Sequence, residues 1–166
     1  DRMLGPRAMP QKELVNIHEL LERVRQLVQA EIVPGIILRS DYDPSIPEIN
    51  VDKDQLIQSF LNLLRNAVQA VGDSGEITLR SRTLRQYTIG QKRYKLVVKV
   101  DVIDNGPGID PEMKESIFLP MVTGRAEGTG LGLPMAQSLI SMNGGLIECE
   151  SQPGLTVFTV LLPIQE

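Results

Sequence analysis

The sequence predicts an α+β domain, a two-layer α/β sandwich in which helices cover one face of a mixed, mostly antiparallel sheet. Three observations lead to this reading. Two apolar stripes at helical spacing come early, and strand-like runs follow them without a regular strand–helix repeat. Residues 95–103 alternate Leu96, Val98, Val100 and Val102 with Val97, Lys99, Asp101 and Ile103, a long two-faced strand. The last two strand-like runs, 146–151 and 155–162, meet at Pro153-Gly154, so they form a hairpin and pair antiparallel. This irregular mixture speaks against a doubly wound parallel fold, and there are no internal repeats.

The elements follow in order. Residues 1–13, punctuated by Gly5-Pro6 and Pro10, read as a linker ahead of a single domain over 14–166. Asn16 with Glu19 three residues on is a capping box, and Ile17, Leu20, Leu21, Val24, Leu27 and Val28 make one apolar stripe. Pro34-Gly35 ends that helix, and 36–38 and 48–51 read as short strands. Asp52 caps a second helix, with Leu56, Phe60, Leu64, Val68 and Val71 on its buried side and Gly72-Asp73-Ser74-Gly75 as its stop. Strands are expected at 76–83 and 95–103, with the polar stretch between them as a hairpin connection through Ile89-Gly90. Asp110-Pro111 starts a short helix, with proline at a first position whose N–H has no partner to lose. A glycine-rich stretch over 124–132 then runs into a helix that stops at Asn143-Gly144-Gly145.

Composition narrows the function. At 166 residues, with 42% hydrophobic and 23% charged side chains, the chain is an ordinary domain able to bury a core. Aromatics are only 4%, with no Trp, which disfavours single-strand nucleic-acid binding by base stacking. A net charge of -4 disfavours broad attraction to phosphate backbones. No apolar run reaches the ~20 residues of a bilayer span, so neither nucleic acid nor membrane is an expected partner. Cys149 stands alone with one His, which leaves no internal disulfide and no zinc cluster, and a cytoplasmic setting is expected. The start without Met reads as a piece of a longer chain.

Three groups of residues can carry chemistry. Asn62, Asn66 and Gln69 share one side of the second helix. They would serve as a solvated polar stripe, or an amide oxygen could coordinate Mg²⁺, which takes hard oxygen ligands shared with phosphates. Asp104 sits where an apolar strand ends and Asn105-Gly106-Pro107-Gly108 begins. That is ordinary turn chemistry, or a carboxylate at the base of a pocket that accepts from an adenine amino group, with the glycines letting backbone approach the flat base. Gly128-Thr129-Gly130-Leu131-Gly132 leads into a helix, where free backbone N–H groups and the helix dipole hold anions. It is neither a Walker A loop nor a dinucleotide fingerprint. Arg125 just upstream could add a phosphate contact.

In order and together, these motifs resemble the Bergerat-type ATPase superfamily of gyrase, Hsp90, histidine kinases and MutL. Residues 62–67 look like its N box, 104–109 its G1 box and 128–132 its G2 box. Ile117-Phe118-Leu119-Pro120 resembles the F box of histidine kinases, and Gly154-Leu155-Thr156-Val157-Phe158 their closing strand. The starts of the chain and of its first helix, with 120–125, further resemble the sensor kinases of nitrogen regulation. The resemblance implies a histidine-kinase catalytic domain that binds ATP or ADP with Mg²⁺ and passes the γ-phosphoryl group to a His on a separate dimerisation domain. It implies Asn66 as the Mg²⁺ ligand with Asn62 beside the phosphates, and Asp104, Gly106, Gly108 and Ile109 at the base. Residues 119–128 become a short lid with Thr123 and Arg125, 128–132 the phosphate loop, and Thr156 a member of the adenine's water network. Gln69 stands where many such kinases have Lys. It also implies a PII-type regulator and an NtrC-like response regulator as partners.

His18-Glu19 begins the phosphoacceptor motif of these kinases but does not complete it, and His18 is expected to be a solvated helix residue. No residue of the chain is an expected catalytic acceptor. The rival within the superfamily, a gyrase- or MutL-like hydrolase, uses a Glu on the Asn helix, and 56–71 contains no acid. A non-catalytic docking module is the remaining alternative, and the intact Asn66, Asp104 and 128–132 count against it.

Overall fold

The computed structural model describes residues 9–114, 116–118 and 132–164. Its elements run β1 (Glu13–Val15), α1 (Ile17–Gln29), β2 (Ile36–Asp41), β3 (Ile49–Val51), α2 (Lys53–Val71), β4 (Gly75–Ile89), β5 (Lys92–Asp104), α3 (Pro111–Lys114), α4 (Gly132–Met142), β6 (Leu146–Gln152) and β7 (Leu155–Pro163). Five strands form one sheet in the order β2-β4-β5-β7-β6. Only β2 and β4 run parallel, because the chain passes through α2 between them, and the other pairs are antiparallel. The expected α+β sandwich is what forms.

The core lies between this sheet and the helices. Val98, Val100 and Val102 of β5 and Phe158, Val160 and Leu162 of β7 face Leu56, Phe60, Leu63 and Leu64 of α2, with Leu20, Leu21, Val24 and Val28 of α1 in the same cluster. Alternation turns Asp101 to the opposite face, where it is held by Arg80, Lys99 and Thr159. Burial alone would raise its pKa, but those three partners outweigh that and hold it below the usual range. No helix among the described residues is long and apolar enough to cross a membrane.

Four local expectations need correction. Glu13, placed in the linker by its sequence surroundings, begins β1, which pairs with β3 in a separate two-stranded sheet. Three residues are too few to show a period. The strands expected at 76–83 and 95–103 run on through the polar stretch between them. β4 and β5 stay in register from Ile77↔Asp104 to Ile89↔Lys92, and only Gly90-Gln91 turn the chain. Gly90 has φ +64°, as the first turn position of a tight hairpin requires. Residues 85–95 find their strand partners within the hairpin itself, so neither face is pressed into apolar alternation, and Arg85, Lys92, Arg93 and Lys95 decorate this arm. Leu27 is exposed although it continues the α1 stripe.

His18 is not solvated either. Its ring stacks on Tyr42 with centroids 4.7 Å apart, and its Nε2 lies 2.8 Å from Ser81 Oγ. Burial draws its pKa down against the pull of Asp43 and Glu22. Asn16 does cap α1 as expected, its Oδ1 accepting from the N–H groups of His18 and Glu19.

The two long helices of the site are sewn together by polar groups. Beyond the end of α4, Asn143 Oδ1 accepts from Asp52 N at 2.8 Å, and its Nδ2 donates to Gln55 Oε1 at 2.9 Å and Leu139 O at 2.8 Å. Further along, Ser59 Oγ donates to Ala136 O at 3.4 Å. These bonds fix the antiparallel register of α4 against α2.

Candidate nucleotide site

Asp104 closes β5 on the helix-covered face with only 1% of its surface exposed. One oxygen accepts from Gly106 N at 2.9 Å, and the other has no hydrogen-bond partner among the described residues. Burial pushes its pKa up, and the Gly106 N–H offsets part of that rise. A desolvated carboxylate with one unanswered oxygen is an acceptor in search of a donor, which is the property an exocyclic amino group satisfies.

The loop after Asp104 is anchored on three sides. Asn105 Oδ1 accepts from Glu76 N at 2.8 Å, tying it to the start of β4. A Cβ on Gly106 would stand 2.8 Å from the Ala70 carbonyl of α2. Gly108 has φ +96°, and a Cβ there would stand 2.6 Å from the Gln152 carbonyl at the β6–β7 turn. The glycines therefore admit the close approach of α2 and of the β6–β7 hairpin. Ile109 N then donates to Ser151 Oγ at 2.8 Å.

The amide helix faces this loop. Asn62, Asn66 and Ala70 follow one another at single-turn spacing along one edge of α2. At one end of that edge Asn62 Nδ2 donates to Gly132 O, the first residue of α4, at 3.1 Å, while its Oδ1 accepts from Gln58. At the other end Ala70 touches Gly106. Half-buried Asn66 lies midway along that edge. Gln69 is exposed.

Thr156 is the direct register partner of Asp104 on β7 and is 4% exposed. Its Oγ1 lies 2.7 Å from Ser151 Oγ. Ser151 escaped the sequence reading, although the short turn at Pro153-Gly154 alone places it opposite Thr156. Phe118 meets Phe158 edge-on at 6.2 Å and packs against the core. Thr123, Arg125, Gly128, Thr129, Gly130 and Leu131 lie outside the described residues.

Comparison with known proteins places the chain in a family. Residues 51–166 match the family described as histidine kinase-, DNA gyrase B-, and HSP90-like ATPase. Over 99% of its length the chain is 49% identical to the sensory histidine kinase/phosphatase NtrB of Vibrio alginolyticus, covering 47% of that protein. Against NtrB of Escherichia coli O157:H7 the identity is 48% over the whole chain and 48% of the relative. The chain thus spans about half the length of the curated relatives it matches. The catalytic domain of the histidine kinase ThkA, nucleotide-free, superposes with a TM-score of 0.80 at 29% identity, covering 93% of this chain and 96% of that one. Full-length ShkA in complex with AMPPNP gives 0.78 at 26% identity, covering 98% of this chain and 33% of that one. The Asp104 loop and the start of α4 both pack against the amide edge of α2, and this chain belongs to the histidine kinase-, DNA gyrase B- and HSP90-like ATPase family.

Proposed function

We propose that the chain is the ATP-binding catalytic domain of a cytoplasmic sensor histidine kinase of nitrogen regulation. It binds Mg-ATP and donates the γ-phosphoryl group to a His on a separate dimerisation domain. The single observation that carries the reading is Asp104, a buried carboxylate with one oxygen open to a base edge. Asp104 accepts from the adenine amino group, Thr156 closes the pocket beside it, and the start of α4, clasped by Asn62, faces the phosphates. Asn66 is the residue placed to hold Mg²⁺, which when bound neutralises phosphate charge during transfer. The protein's own contribution is to orient the phosphates and exclude water, since phosphoryl transfer asks mainly for positioning and charge compensation.

The hydrolytic branch of the family is disfavoured by α2 itself, where 56–71 carries no acid to activate water. The partners of the reading are an NtrC-like response regulator and a PII-type regulator. Its support is the likeness to NtrB and to ThkA, which was solved in complex with the response regulator TrrA. The test is transfer in trans. With radiolabelled ATP and Mg²⁺, the chain labels an added dimerisation domain of an NtrB-type kinase and not a version whose phosphoacceptor His is replaced. A chain that binds ATP yet never labels that domain overturns the kinase reading in favour of a docking module.

A further inference from the structure

We propose that Ser151 is a positioning residue that fixes the Thr156 hydroxyl as a donor toward the base, and thereby helps to select adenine over guanine nucleotides. The proposal rests on the nucleotide reading above. Asp104, Thr156 and Ser151 form one row across β5, β7 and β6 on the helix-covered face. A hydroxyl owns one proton and two acceptor positions. Ser151 Oγ already accepts from Ile109 N at 2.8 Å and lies 2.7 Å from Thr156 Oγ1. Accepting one bond polarises a hydroxyl and makes it a better donor for the next. Either hydroxyl can donate in this pair, and we take the polarised Ser151 O–H as the donor, so that the chain runs Ile109 N–H to Ser151 and Ser151 O–H to Thr156. The Thr156 proton must then turn elsewhere, and the base pocket beside Asp104 is where its register places it.

The row thus presents two opposite characters side by side, an acceptor at Asp104 and a donor at Thr156. Adenine offers the matching edge, with a donating amino group beside the N1 acceptor, reached directly or through one water. Guanine reverses both, with a carbonyl oxygen beside a protonated N1. Without Ser151 the Thr156 hydroxyl is free to rotate and accept, so half of the pattern loses its sign. Of this row, the sequence points to Asp104 and Thr156 but not to Ser151. The residue that orients Thr156 is visible only when Ile109 and Ser151 are seen to touch.

The experiment is calorimetric titration of this chain and its variants with Mg²⁺ and ATP, GTP or 1-deaza-ATP, which has a carbon in place of N1. Ser151→Ala is expected to weaken ATP by roughly three- to tenfold, the loss of one neutral hydrogen bond. The same variant should leave 1-deaza-ATP binding unchanged and narrow the gap between ATP and GTP. Ser151→Thr, which keeps the hydroxyl, should restore wild-type values. If Ser151→Ala does not fold, Ser151→Cys, which fills the space with a weak donor, carries the same comparison. An equal penalty on ATP and 1-deaza-ATP, or no penalty on ATP, overturns the positioning role while leaving the nucleotide site standing. A wild-type chain that binds none of the three overturns the nucleotide reading and this proposal with it.

Discussion

Asn62 and Gly132, 70 residues apart, are joined by a 3.1 Å hydrogen bond from the amide Nδ2 to the carbonyl that opens α4. The bond sets where the first turn of α4 sits relative to the helix bearing Asn66. Because the same side chain also accepts from Gln58, its amide is oriented from both ends. The helix that starts at Gly132 is the one whose unpaired N–H groups face the phosphates in the proposed complex.

Asn62→Ala is therefore expected to lower Mg-ATP affinity several-fold while costing only about 1 kcal/mol of stability, the net worth of one such bond. Thermal melting and calorimetric titration of the same samples separate the two effects. Unchanged affinity would show that phosphate placement does not depend on the clasp.

Asp104→Asn should separate binding from folding even more sharply. Asn keeps an oxygen for the Gly106 N–H but offers an NH₂ where the adenine amino group needs an acceptor. ATP affinity is expected to fall by about ten- to a hundredfold, the worth of a hydrogen bond to a charged group. The unliganded variant should melt at or above the wild-type temperature, because a buried charge has been removed. A melting point that drops in step with affinity would mark the loss as structural.

The pH dependence follows from the same residue. Burial raises the Asp104 pKa above the ordinary aspartate value. The folded chain therefore favours the neutral form more than the unfolded chain does, so this contribution to folding is fully present below the unfolded pKa and is lost as pH rises through the folded one. Nucleotide binding runs the other way, since only the carboxylate accepts at both oxygens. ATP affinity should weaken as pH falls through the raised pKa, beginning above the range where an exposed Asp titrates. Titrations across mildly acidic pH should show this decline in wild type and its absence in Asp104→Asn.

Asn143→Ala tests the seam between α2 and α4. It strands the Asp52 N–H and the Gln55 side chain in the interior, where Gln55 Nε2 already lacks a partner among the described residues. The expected cost is about 2–3 kcal/mol, or roughly 5–10 °C of melting temperature for a domain of this size. Differential scanning calorimetry measures it, and a change below about 0.5 kcal/mol would mean that water takes over these bonds.

Some of this was written in the chain order and some was not. Helical periodicity marked α1 and α2 because each buries one face, and a single face imposes a 3.6-residue repeat. Leu27 and His18 show where that logic stops. Leu27 continues the stripe yet stays exposed, and His18 leaves the stripe yet finds Tyr42 and Ser81 from distant segments. The β4–β5 arm was misread because its two strands satisfy one another's backbone without an apolar face.

The sequence by itself determined which residues have unusual chemistry for their place: a carboxylate ending an apolar strand, amides on a helix, and glycines in clustered loops. Those are local properties, legible from residue type and spacing. Only the tertiary structure decided what each one meets. Gly106 and Gly108 face carbonyls of α2 and the β6–β7 turn, Asn62 holds the start of α4, and Ser151 reaches Ile109 across 42 positions of chain. A hydrogen bond depends on the meeting of two groups in space, and separation along the chain carries no record of that meeting until the sheet register and the helix seam bring it about.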